Sequence, residues 1–93
     1  MRSLNIYAVV DYFTGAEIRF AFLEEAVAKL KEIINNTTLP LDSKIDILNL
    51  IESDYICFKN ALDRGWLNGD YKIANFNCYN LISMGIEKRK INF

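Results

Sequence analysis

The hydrophobic period of this chain changes from two to 3.6 at Leu23, and that change limits what it can fold into more than any other feature. Residues 4–12 alternate Leu4, Ile6, Ala8, Val10 and Tyr12 against Asn5, Tyr7, Val9 and Asp11, the two-residue period and β-branched content of a half-buried strand. Residues 17–22 alternate too, with Ile18, Phe20 and Phe22 against Glu17, Arg19 and Ala21. Thr14-Gly15 between them predicts a β-hairpin. The competing reading takes Thr14-Gly15-Ala16-Glu17 as a capping box that starts a helix running to Asn35. On such a helix Ile18, Phe20 and Phe22 would spread around the axis, so the hairpin is preferred. From Leu23 the period is 3.6: Leu23, Ala26, Val27, Leu30, Ile33 and Ile34 share one face, opposite Glu24, Glu25, Lys29, Lys31 and Glu32. This predicts an amphipathic helix ended by Asn35-Asn36 and a polar loop to Pro40.

A second helix is expected from a cap at Asp42 or Ser43, with Asp46 completing a Ser-x-x-Asp box, to about Asp63, where Gly65 stops it. It carries one apolar stripe of Ile45, Leu48, Ile51, Tyr55, Phe58 and Leu62, and beside it another of Ile47, Leu50, Cys57 and Ala61. So broad an apolar surface is either central to the fold or faces another chain. Asn68-Gly69-Asp70 reads as a turn. Tyr71, Ala74, Cys78, Leu81 and Ile82 then suit a third helix capped by Asp70 with Gly85 just past its end; Asn75, Asn77 and Asn80 weaken it, and a strand over 72–79 is the alternative. Residues 86–93 read as a basic, mobile tail. The expected fold is one α+β domain over 1–93, an N-terminal antiparallel hairpin packed on two or three helices, with an all-α bundle as the alternative.

Composition narrows function mostly by exclusion. With 52% hydrophobic residues the 93-residue chain can build a core. Twelve acids and eleven bases leave a net charge of −1, so no overall field favours nucleic acid or an anionic membrane. Residues 11–70 nevertheless hold eleven acids against six bases, while Lys72, Lys88, Arg89 and Lys90 face only Glu87 in residues 71–93. Histidine is absent, which removes the usual acid–base catalyst near neutral pH. The acids fall on polar helix faces, and Cys57 has only Lys59, two positions away, as a cationic neighbour. No enzymatic activity, metal or cofactor is expected. Cys57 and Cys78 lack CxxC spacing and sit among apolar neighbours, as buried free thiols of a reducing cytosol do. The start of the chain has no apolar leader and no stretch is long enough to span a membrane.

Three segments are candidate sites. Arg64 and Trp66 lie in a turn-rich loop and are of the residue types enriched at interface hot spots; with Ile47, Leu50 and Ile51 they are the expected interaction residues. Tyr71, Phe76 and Tyr79 could stack a ligand base. Lys88, Arg89 and Lys90 could touch phosphate, although three charges are too few for strong nucleic-acid binding. In element order and in its asparagine- and isoleucine-rich composition the chain resembles small accessory proteins of phages and mobile elements, a likeness that carries over no site. The expected function is a non-enzymatic cytosolic interaction protein that forms homo-oligomers or binds and inhibits a protein partner, with a phage-type inhibitor of a host system as the specific form. A small-ligand or nucleotide-binding protein with a pocket between subunits is the alternative.

Overall fold

The computed structural model describes residues 2–67 and 69–92. Six elements follow in the order β1 (Ser3–Asp11), β2 (Glu17–Phe20), α1 (Leu23–Asn35), α2 (Leu41–Asp63), β3 (Tyr71–Cys78) and β4 (Ile82–Asn92). The four strands make one antiparallel sheet of order β2-β1-β4-β3, with both helices packed on one face. The expected α+β class holds. The N-terminal hairpin and the helix beginning at Leu23 form as the change of period requires.

The C-terminal third departs from expectation. Residues 71–84 are not a third helix but β3 and the start of β4, as the strand alternative over 72–79 had it, and residues 86–92 are no tail, because β4 runs through the middle of the sheet as far as Asn92; residue 93 lies outside the described residues. Tyr79 and Asn80 both adopt positive φ, and the Leu81 N–H donates to the Cys78 carbonyl at 2.9 Å. This is the left-handed turn that matches strand twist in a tight hairpin. Asparagine tolerates that conformation better than most residues, which explains Asn80 here. Ile82, Met84, Ile86 and Lys88 then line the core side while Ser83, Gly85, Glu87 and Arg89 line the other.

Between Ile73 and Phe76 the register slips by a bulge. Ala74 sits there at φ +52° and donates its N–H to Asp54 Oδ2 of α2 at 2.9 Å. The bulge presses Asn75 onto β4: a methyl group on Gly85 would lie 3.1 Å from the Asn75 Cα and 3.4 Å from the Tyr12 ring. Gly85 is thus a close-approach glycine inside a strand, not a helix terminator.

The core lies between sheet and helices, where Val9, Ile73 and Ile86 meet Leu30 and Ile34 of α1 and Ile51 of α2. Ile47 and Ile51 are buried, which corrects their reading as interface residues: α2 turns them into the core, with Phe58 and Leu62 packed against it. Leu50 stays on the surface. Cys57 is exposed and Cys78 half-buried, so the expectation of two buried thiols fails for Cys57. Neither Asp42 nor Ser43 caps α2. The helix starts directly after Pro40, whose carbonyl accepts the Lys44 N–H at 3.0 Å. Lys59 and Tyr55 reach from α2 to Glu24 at the start of α1, and Lys31 pairs with Glu52, fixing the two helices to each other.

Candidate functional site

The residues singled out from the sequence do not gather at one place. Arg64 and Trp66 do sit together past the end of α2, the guanidinium carbon 4.8 Å from the indole centroid, and Trp66 is 66% exposed. Tyr71, Phe76 and Tyr79 form no platform. Tyr71 packs edge-on to Phe58, Phe76 is buried in the core, and Tyr79 stands exposed in the β3–β4 turn. Lys88, Arg89 and Lys90, being consecutive on a strand, point alternately to opposite faces. Lys88 is 1% exposed and donates to the Gly69 carbonyl at 2.6 Å, its ammonium 5.8 Å from the Tyr71 ring centroid. Burial pulls its pKa below the usual lysine value. A common phosphate surface is therefore ruled out by the strand geometry itself.

Arg89 belongs to a charged lattice on the helix-free face of the sheet. Its guanidinium donates to both Glu17 oxygens, at 3.0 and 2.7 Å, and to Glu87 Oε1 at 3.0 Å. Arg19 also donates to Glu17, and the Tyr12 hydroxyl donates to Glu87 Oε2 at 3.1 Å. The Lys72 ammonium lies 5.3 Å from the Tyr12 ring centroid. These side chains link β2, β4 and β3, with Tyr12 just past the end of β1, on the face that also carries the buried Ala8 and Val10. Hydrogen bonds from Arg89, then Arg19, hold the Glu17 carboxyl down to about 2. Burial, then the Glu87 carboxylate, pushes the Tyr12 phenol up to about 12. Each carboxylate and guanidinium is paired within the lattice, which acts as a clamp across the strands.

The other face, where the sheet runs out beyond the helices, holds a groove of about 680 Å³. The buried Val9 and Met84 of the two central strands line it, together with Ile18 on β2, Leu81 in the β3–β4 turn, and Ile33 and Leu39 of the helical side. Three hairpin or loop segments converge there: the β1–β2 turn, the α1–α2 loop and the β3–β4 turn. Phe13, Ile18 and Leu81 on the rim are 54%, 44% and 73% exposed. Several polar groups of the lining are engaged by their own surroundings. Asp11 Oδ1 accepts the N–H groups of Phe13 and Thr14, Glu17 is held by its arginines, and the Thr37 hydroxyl donates to the Ile34 carbonyl at 2.7 Å. What the lining offers an occupant is mostly apolar surface, with the Met84 thioether able to adapt its shape.

The groove was not among the sites expected from the sequence. Its signal was present in Phe13, beside Thr14-Gly15, and in Leu81, beside Asn80: large apolar residues in turns, where small and polar ones are the rule. Among the described residues no group of histidine, cysteine or carboxylate side chains could hold a metal, and no helix is long and apolar enough to cross a membrane. Comparison of the chain with protein-family models, with curated proteins and with solved structures finds no match.

Proposed function

We propose that this protein is a non-enzymatic interaction module that takes an apolar segment of a protein partner into the groove between the β1–β2 turn, the α1–α2 loop and the β3–β4 turn. The observation that carries the reading is the exposed rim of Phe13, Ile18 and Leu81 around a groove lined mostly by apolar side chains. Such a surface gains from apolar burial and holds no cationic side chain with which to orient an anionic metabolite. Its openness along the sheet end suits an extended or helical segment. Inhibition belongs to the same reading, since a segment held in the groove is removed from the partner's own contacts.

The ligand-binding alternative has one observation in its favour, because a volume of about 680 Å³ also suits a small molecule. The tyrosine, tryptophan and arginine expected to line such a pocket do not line this one. Selection from a random peptide library on the immobilised protein, followed by isothermal titration of the enriched peptides, tests the proposal. Apolar peptides that lose at least tenfold in affinity to Leu81→Asp are expected, and a pool of nucleotides should leave the melting temperature unchanged. Peptides insensitive to Leu81→Asp, or a saturable nucleotide-induced rise in melting temperature, would overturn it.

A further inference from the structure

β2 closes the sheet with one neighbour only, and the register determines which of its backbone groups are free. Asp11 donates its N–H to the Ala16 carbonyl at 2.9 Å, and Val9 pairs with Ile18 as Tyr7 does with Phe20. Hydrogen bonding alternates along an antiparallel pair, so Ile18 and Phe20 turn their N–H and C=O toward β1, and Glu17 and Arg19 turn theirs away. The free edge presents two donors and two acceptors, on residues of opposite charge that flank an exposed isoleucine. The strand is short and carries two charges, but it has no proline and no bulge to block pairing.

We propose that this edge pairs antiparallel with the same edge of a second copy, about a two-fold axis passing at Ile18, to make a continuous eight-stranded sheet. In that register Glu17 stands opposite the partner's Arg19, and each such pair exchanges both of its backbone hydrogen bonds. Ile18 meets the partner's Ile18 on the groove side of the sheet, in the position where facing side chains lie closest. The charges are prepared for it. Arg89 fixes the Glu17 carboxylate in place from within its own chain, while the Arg19 side chain, 63% exposed, need only swing from its own Glu17 to the partner's. The charge pattern is complementary to itself: antiparallel self-pairing sets Glu17 against Arg19 twice, whereas parallel pairing in register would set each charge beside its own kind.

Sedimentation velocity from micromolar to millimolar protein tests the proposal, with the expected product at twice the chain mass of 10.8 kDa. Arg19→Pro removes an N–H that points away from β1 and so spares the native ladder. Arg19→Glu keeps the backbone and sets carboxylate against carboxylate. Each should weaken dimerisation at least tenfold with the far-ultraviolet circular dichroism of the parent retained, and Arg19→Glu decides alone where the proline variant does not fold. Leu81→Asp, which alters the groove and not the edge, should dimerise as the parent does, so the fate of the groove reading is scored separately. A parent chain that stays monomeric at millimolar concentration, or a dimer indifferent to Arg19→Glu, would overturn the proposal.

Discussion

The N-terminal hairpin β1–β2 and the C-terminal hairpin β3–β4 each give the sheet one central and one edge strand, yet the two edges end in different ways. At the β3 edge the bulge at Ala74 bends the strand, and Asp54 occupies an N–H that would otherwise face outward. The β3 side chains Ile73 and Phe76 are sunk under α2. At the β2 edge four residues run without a bulge, and Ile18 is left 44% exposed. One edge has been tied to the body of the protein and the other left able to pair. Local irregularity, costly in itself, is one way a sheet limits growth to a single side.

The largest expected effect separates the two hairpins by stability. Ile86→Ala in the C-terminal hairpin empties a fully buried site and should cost about 2–5 kcal/mol of folding free energy in urea denaturation. Ile18→Ala, at the open edge, should cost less than about 1 kcal/mol while weakening self-association. Equal losses at the two positions would break the comparison.

Asp54→Ala probes the tie itself. It leaves the Ala74 N–H without its acceptor in a buried bulge and is expected to cost about 1–3 kcal/mol, whereas Asp54→Asn, which keeps an oxygen in reach, should recover part of the loss. Loss of less than a few tenths of a kcal/mol in Asp54→Ala would show that the bulge does not depend on α2.

A smaller effect concerns the clamp on the polar face. The Glu17 carboxyl is lowered from an ordinary 4.5 to about 2 in the folded chain. Between those values the unfolded chain takes up a proton that the folded chain does not, so stability falls as pH drops from about 4.5 toward 2. Above that window the contribution is fully present. Glu17→Gln should flatten this part of the stability curve measured by denaturant titration at stepped pH; an unchanged slope would remove Glu17 from the account.

How legible each hairpin was follows from how its strands are buried. β1 and β2 announce themselves through alternation and a Thr14-Gly15 turn, and α1 through a single apolar stripe. In β4 the alternation Ile82, Ser83, Met84, Gly85, Ile86, Glu87 was equally plain, but it is masked by two features. Gly85 resembles a helix stop, although its role is to admit Asn75, and Lys88 breaks the apolar row although it is buried among core neighbours. The β3 bulge shifts the period midway, which lets Tyr71, Ala74 and Cys78 imitate helical spacing. In α2 a second apolar stripe was visible, yet which stripe faces the sheet depends on the position of β3, and only the assembled fold decides it. The groove is harder still, since it joins three turns distant in sequence; Phe13 and Leu81 were its only local trace.

Amide hydrogen exchange, followed residue by residue by NMR at low and high protein concentration, tests the central claim most directly. The account predicts that the Glu17 and Arg19 amides, free on the β2 edge of the monomer, become protected as concentration rises, while the outward Lys72 amide on the β3 edge keeps the same exchange rate throughout. Protection that appears at Lys72, or exchange at Glu17 and Arg19 that is independent of concentration, would contradict it.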